Sequence, residues 1–181
     1  MDELLAKLIA VWLAGLSPDG AVPAQFLSAY DGDSLTVGFA CSGPVTATIS
    51  FSGLSMTQVP ANARPLVVPV ACKRGMVPLT VRVAGIDAPE LSSSCETASQ
   101  RAAEKKRGYA VRDTVTAWLR RSGTVVLDSI DPFSEKWGRT LARVGFGDGS
   151  GQLSDLGVRL ILRGEARAYS GGTKQSWCDL S

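Results

Sequence analysis

One stretch of this chain carries a sustained helical period, and most of the remainder reads as short strands broken by turns. From Cys95 to Arg121, the apolar residues Ala98, Ala102, Val111, Val115 and Trp118 follow three- and four-residue steps. They are interrupted by the charged Glu104, Lys105, Lys106 and Arg107, and Gly123 follows as a stop. Gln25 to Tyr30 and Ser34 to Phe39 read as two strands joined by Asp31-Gly32-Asp33. Glycine there accepts a positive φ, and aspartate bonds to nearby backbone. Leu79 to Ile86, Thr124 to Ile130 and Arg139 to Phe146 complete a set of five strands. In the third of these, Arg82 faces away from Val81 and Val83. A second, shorter helix carries Leu156, Leu160 and Ile161, capped by Ser154 or Asp155 and closed by Gly164. This set predicts an α+β, mostly β domain, a small closed barrel with two helices against it. Cys41 to Pro78 interrupts it, rich in Ser, Thr, Val, Pro and Gly. Its strand-like pieces, Val45 to Phe51 and Pro65 to Val70, predict an inserted β-ribbon or long loop.

The N-terminal residues read differently. Lys7 precedes the apolar stretch Leu8 to Leu16, then Ser17-Pro18-Asp19-Gly20 breaks it, and Val22-Pro23-Ala24 suits a signal-peptidase site. Residues 1–24 are therefore expected to be a secretory leader, with Gln25 as the mature start and 25–181 as a single domain. The alternative is an amphipathic helix packed on that domain in a cytoplasmic protein. Cleavage removes Asp2, Glu3, Asp19 and Lys7 and raises the net charge from +2 to +4. No apolar run approaches the roughly 18 residues of a membrane span. The four cysteines, Cys41, Cys72, Cys95 and Cys178, read as disulfides in an exported protein and as buried thiols in a cytoplasmic one. Three pairings are open from spacing, and the lack of a C-x-x-C pair argues against structural zinc.

The chain has no histidine, which excludes any mechanism with a histidine base and any metal site with a histidine ligand. Four short segments carry what chemistry remains: Asp31-Gly-Asp33; Arg82 with Asp87-Ala-Pro-Glu90; Lys136-Trp-Gly-Arg139; and Ala166-Arg167-Ala168-Tyr169. Singly, each has a plain structural explanation. The aspartates make a turn, Arg82 forms a salt bridge in the barrel, Glu90 is solvated and Arg139 is a surface charge. Together they supply carboxylates for a hard cation, one carboxylate left over as a base, and two guanidinium groups. Oxygen ligands suit Ca²⁺ or Mg²⁺, and the planar forks of two arginines match phosphate oxygens. This is a kit for metal-assisted phosphodiester hydrolysis.

The set Asp31-Gly-Asp33, Arg82 to Asp87-Ala-Pro-Glu90, and Lys136-Trp-Gly-Arg139 resembles the staphylococcal nuclease (thermonuclease-like) family, from about Gln25 to Tyr169. The resemblance implies an OB-type five-stranded barrel with two flanking helices, and calcium-dependent, sugar-nonspecific cleavage of DNA and RNA that leaves a 3′-phosphate. It implies Asp33, Asp87 and the Ala88 carbonyl as direct Ca²⁺ ligands, with Asp31 acting through water. Glu90 would be the general base, Arg82 and Arg139 would hold the phosphate and its transition state, and Lys136 and Tyr169 would contact nucleotide at the rim. The chain departs from the type member in its longer insertion, in Gly171 standing at the second binding-site tyrosine, and in lacking the C-terminal helix. The tail ending Trp177-Cys178 and the cysteine after Glu90 resemble an exported bacterial branch.

The mature protein is expected to be a monomer, secreted or periplasmic, with no membrane contact. A Gly-rich tail with no helix of its own would fray unless tied. Cys178 is therefore expected to pair with Cys95 beside Glu90, and Cys41 with Cys72 across the insertion. The competing reading is a non-catalytic OB-type nucleic-acid-binding module. Such a module calls for stacked aromatics and a dense basic groove, whereas aromatics make up 7% of this chain and its basic residues are scattered.

Overall fold

The computed structural model describes residues 21–42, 45–49, 66–70, 72–123, 125–131 and 139–178. Five strands close a barrel: β1 (Val22–Ala29), β2 (Ser34–Ala40), β5 (Met76–Val83), β7 (Val125–Asp131) and β8 (Thr140–Gly147). The order around it is β5-β2-β1-β7-β8, and β8 closes on β5. That closing pair is parallel and the others are antiparallel. This is the OB topology, a sheet without free edges at its seam. The ribbon is β3 (Val45–Ile49) paired antiparallel with β4 (Leu66–Val70). β6 (Ile86–Asp87) pairs with β10 (Arg167–Ala168), and β9 (Leu153–Asp155) adds to β8. The helices are α1 (Ala98–Ser122) and α2 (Leu156–Leu162).

Alternation along the strands sends Leu35, Val37, Leu79, Val81, Val83, Leu127, Val144 and Phe146 into the barrel, where Val111, Val115 and Leu119 of α1 and Leu156 and Leu160 of α2 close the core. Burying each such side chain contributes about 1.5–3 kcal/mol. The cap of α1 is Thr97, whose side chain accepts from the Gln100 amide while Gln100 reaches back to the Thr97 amide, a capping box that defines the helix start. Gly123 ends it in the left-handed conformation. The buried face of α1 is Glu104, Gly108, Val111, Val115 and Leu119. Ala98 and Ala102, expected on that face, are exposed, because the first turns of the helix lie beyond the barrel.

Several boundaries move. β1 starts at Val22, three residues ahead of the expected mature start, because Val22, Pro23 and Ala24 pair with Leu127, Val126 and Val125 of β7. The remaining leader residues, 1–20, lie outside the described residues. The insertion ends at Gly75 rather than Pro78, since the β2–β5 ladder runs on to Ala40 and Met76. The strand expected over Leu79 to Ile86 stops at Val83, where a turn through Gly85 (φ 80°) leads into β6. The expected disulfides are both present: Cys41–Cys72 closes the ribbon (Cα–Cα 6.1 Å), and Cys95–Cys178 ties the tail to the segment before α1 (5.5 Å). No helix among the described residues is long and apolar enough to cross a membrane.

Candidate active site

The barrel end where β2 begins, β5 finishes and β8 starts collects most of the charged residues singled out in the sequence. Register brings them there: Ser34 pairs with Arg82 across β2 and β5, and Arg82 with Leu141 across β5 and β8. The Asp33 carbonyl accepts the Val83 amide at 2.8 Å, tying the β1–β2 turn to the end of β5. Gly32 in that turn has no positive φ among the described residues. Glycine is needed for space instead: a Cβ would meet Val111 Cγ1 at 2.6 Å and Ala88 Cβ at 2.7 Å.

Asp31, Asp33, Arg82 and Asp87 are all buried. Asp33 Oδ2 lies 3.1 Å from Arg82 Nη2 and accepts the Ala88 amide at 3.2 Å. Asp33 Oδ1 accepts the Ser34 hydroxyl, and the Asp33 amide donates to Asp31 Oδ1. Arg82 Nη2 also lies 3.8 Å from Asp87 Oδ1 and donates to the Ile86 carbonyl, with the Tyr169 ring 5.9 Å away. Arg139 Nη1 donates to Ser34 Oγ at 3.1 Å, so the second arginine reaches Asp33 through one hydroxyl. Glu90 is held from below. Its amide donates to Glu104 Oε1, and Gly108 lets α1 approach so closely that a Cβ there would meet the Pro89 and Glu90 carbonyls at 2.9 and 3.0 Å. The Glu90 carboxylate faces outward, 38% exposed.

Two residues that the sequence reading left out meet this cluster from the tail. Trp177 Nε1 donates to Asp87 Oδ2 at 2.9 Å, and Lys174 Nζ lies 2.7 Å from both Asp87 Oδ1 and Glu90 Oε1. Trp177 is buried beneath the Arg167 guanidinium, 4.1 Å above its ring. Ser34, Glu104 and Gly108 were missed as well. Glu104 had a signal, an acid that recurs with the apolar residues of its helix face. Lys174 had none, since its placement depends on the path of the tail.

Arg82, Arg139, Glu90, Tyr169 and Lys174 line a cleft of about 1010 Å³ with Gly171 and Gly172 on its wall, room enough for a nucleotide-sized ligand. Lys136 and the turn around it lie outside the described residues.

The donor set fits a hard cation. Only oxygens are offered, and negative charge exceeds the positive charge set against it. Burial pushes the Asp33 carboxyl up to about 7; Arg82 pulls it down, while Asp31 and Glu90 push it further up. A further cation beside Asp33 and Asp87 would relieve that excess. Among the described residues the one group of three metal-type ligand atoms within 4.8 Å is Cys95, Glu104 and Cys178, and its sulfurs are bonded to each other. Asp31, Asp33 and Asp87 do not form such a group.

Compared with known proteins, the chain matches no family model and no curated protein.

Proposed function

We propose that this protein is a calcium-dependent, sugar-nonspecific nuclease of the staphylococcal nuclease kind, exported from a bacterial cell and acting on DNA and RNA. The observation that carries the reading is that Arg82, Arg139 and Glu90 line one cavity, and that Arg82 also meets the buried Asp33 at 3.1 Å and Asp87 at 3.8 Å. Fold alone would not distinguish an enzyme from a binding module of the same topology. Export rests on the leader-like N-terminus together with two disulfides, which persist in oxidising compartments.

The chemistry follows from the groups. Asp33 and Asp87, with the Ala88 carbonyl, would hold Ca²⁺, and Asp31 would act on it through water. The ion, when bound, supplies a Lewis acid for a phosphate oxygen. Arg82 and Arg139 grip the non-bridging oxygens and stabilise the charge that builds on them in the five-coordinate transition state. Glu90 takes a proton from the attacking water. The new bond forms between the water oxygen and phosphorus, the bond from phosphorus to the 5′ oxygen breaks, and that oxygen takes up a proton from solvent, to which Glu90 returns its own. A 3′-phosphate and a 5′-hydroxyl result. Tyr169 and Lys136 would meet nucleotide at the rim.

Incubating purified protein that keeps Val22–Ala24, the residues through which β1 pairs with β7, with single- and double-stranded DNA and RNA, in Ca²⁺, Mg²⁺ or chelator, tests this. Cleavage is expected in Ca²⁺, weakly in Mg²⁺ and not in chelator. Arg82→Lys, Arg139→Lys and Glu90→Gln should each lower turnover by roughly two orders of magnitude or more. Binding without cleavage would return the OB-type binding module as the better reading.

A further inference from the structure

Lys174 is delivered to the site by a strap fastened at both ends. On one side β10 pairs with β6, and the Tyr169 amide donates to the Gly85 carbonyl. On the other, Trp177 bonds Asp87 and Cys178 is disulfide-linked to Cys95. Between them Gly171 and Gly172 adopt positive φ values of 99° and 88°, which turns the chain back toward the barrel. The ammonium at its centre contacts Asp87 Oδ1 and Glu90 Oε1, each at 2.7 Å. The other Asp87 oxygen is taken by Trp177, so Oδ1 is the oxygen on which an external cation must compete with Lys174. The Lys174 side chain is 39% exposed, and a flexible stem carries its charge as a movable point. Asp87 has almost no contact with water to fall back on when that charge leaves.

We infer that Lys174 is an intramolecular cation that competes with the divalent ion for Asp87, so that binding of the ion displaces the ammonium and the strap sets the ion's affinity. The inference rests on the reading of Asp33 and Asp87 as ligands, and goes beyond it by giving the chain its own occupant of the same position. It makes Lys174 a determinant of ion affinity that no nuclease motif in the sequence marks.

Calcium titration calorimetry on the intact, disulfide-bonded protein tests this at fixed pH and ionic strength. Lys174→Met keeps the length of the side chain without its charge and should bind Ca²⁺ at least about tenfold more tightly than wild type. Lys105→Met, on exposed α1 surface, should bind as wild type does. Asp33→Asn should abolish binding in either background. Should Lys174→Met fail to fold, amine acylation of the wild-type protein reads the same event without a variant. Labelling of Lys174, followed by peptide mass, should speed up severalfold in saturating Ca²⁺ while Lys105 labelling stays constant. Equal or weaker Ca²⁺ affinity in Lys174→Met, or Lys174 labelling that Ca²⁺ leaves unchanged or slows, overturns the competition and leaves the calcium site standing. No Ca²⁺ binding to wild type or variant overturns both.

Discussion

Asp33 is the residue on which folding and chemistry pull in opposite directions. Its carboxylate organises the turn through the Ala88 amide and the Ser34 hydroxyl, yet it lies almost wholly out of water. Burial raises its pKa from 3.8 to about 7. Because the folded value lies above the unfolded one, the stabilising contribution is fully present below 3.8 and is lost as pH rises through about 7. In chelator, wild type should therefore lose stability between pH 5 and pH 8 relative to Asp33→Asn, which has no proton to release at that position. The expected difference is at most about 3 kcal/mol, because about two pH units, from 5 to about 7, fall within the shifted range and one pKa unit is about 1.4 kcal/mol. Urea denaturation at both pH values measures it, and parallel profiles for the two proteins would remove the buried-charge account. Lys174 shows the opposite balance: burial works to lower its pKa, but hydrogen bonds and ion pairs with Asp87 and Glu90 outweigh that and leave the net shift upward.

At the scale of elements, α1 does two jobs with one face. Its C-terminal half seals the barrel through Val111, Val115 and Leu119, while Glu104 and Gly108 support the extended segment that carries Glu90. Alanine in a helix is ordinarily favoured over glycine by about 1 kcal/mol. At position 108 the sign should reverse, because the added Cβ meets backbone carbonyls that have no rotamer to escape into. Gly108→Ala is expected to destabilise the protein by about 1–3 kcal/mol and to lower turnover through displacement of Glu90. Thermal denaturation and a turnover assay check both parts, and a more stable, fully active Gly108→Ala protein would mean that α1 does not hold that segment. On the other flank, Asp155 accepts the Val158 amide and so starts α2 directly at the end of β9.

Over the whole molecule, the two disulfides have different duties. Cys41–Cys72 closes a ribbon of which no described residue lines the cleft, whereas Cys95–Cys178 holds the strap that bears Lys174 and Trp177. Loop-closure entropy assigns roughly 3–4 kcal/mol to the first and roughly 4–5 to the second, less any strain. Replacing Cys41 and Cys72 by serine should cost stability and leave the proposed nuclease turnover intact, while the same change at Cys95 and Cys178 should alter both. Denaturant titration beside the turnover assay separates them, and equal turnover in the two double variants would deny the strap its role. The sequence alone determined the barrel class and the long helix, because strand alternation and helical period are local and the turns between them carry their own residues. It also brought out Asp31, Asp33, Arg82, Asp87, Glu90 and Arg139, since charges at the ends of apolar strands stand out against their neighbours. Tertiary structure decided what surrounds them. Trp177 lies 90 positions from Asp87 and Lys174 lies 84 from Glu90, and no local period links either pair. Only the barrel's closure, the reversal at Gly171 and Gly172, and the bond from Cys178 to Cys95 bring those side chains to one carboxylate. Val22 joins β1 for the same kind of reason: its ladder partner, Leu127, is on the neighbouring strand β7 but far along the chain, beyond the reach of any local signal.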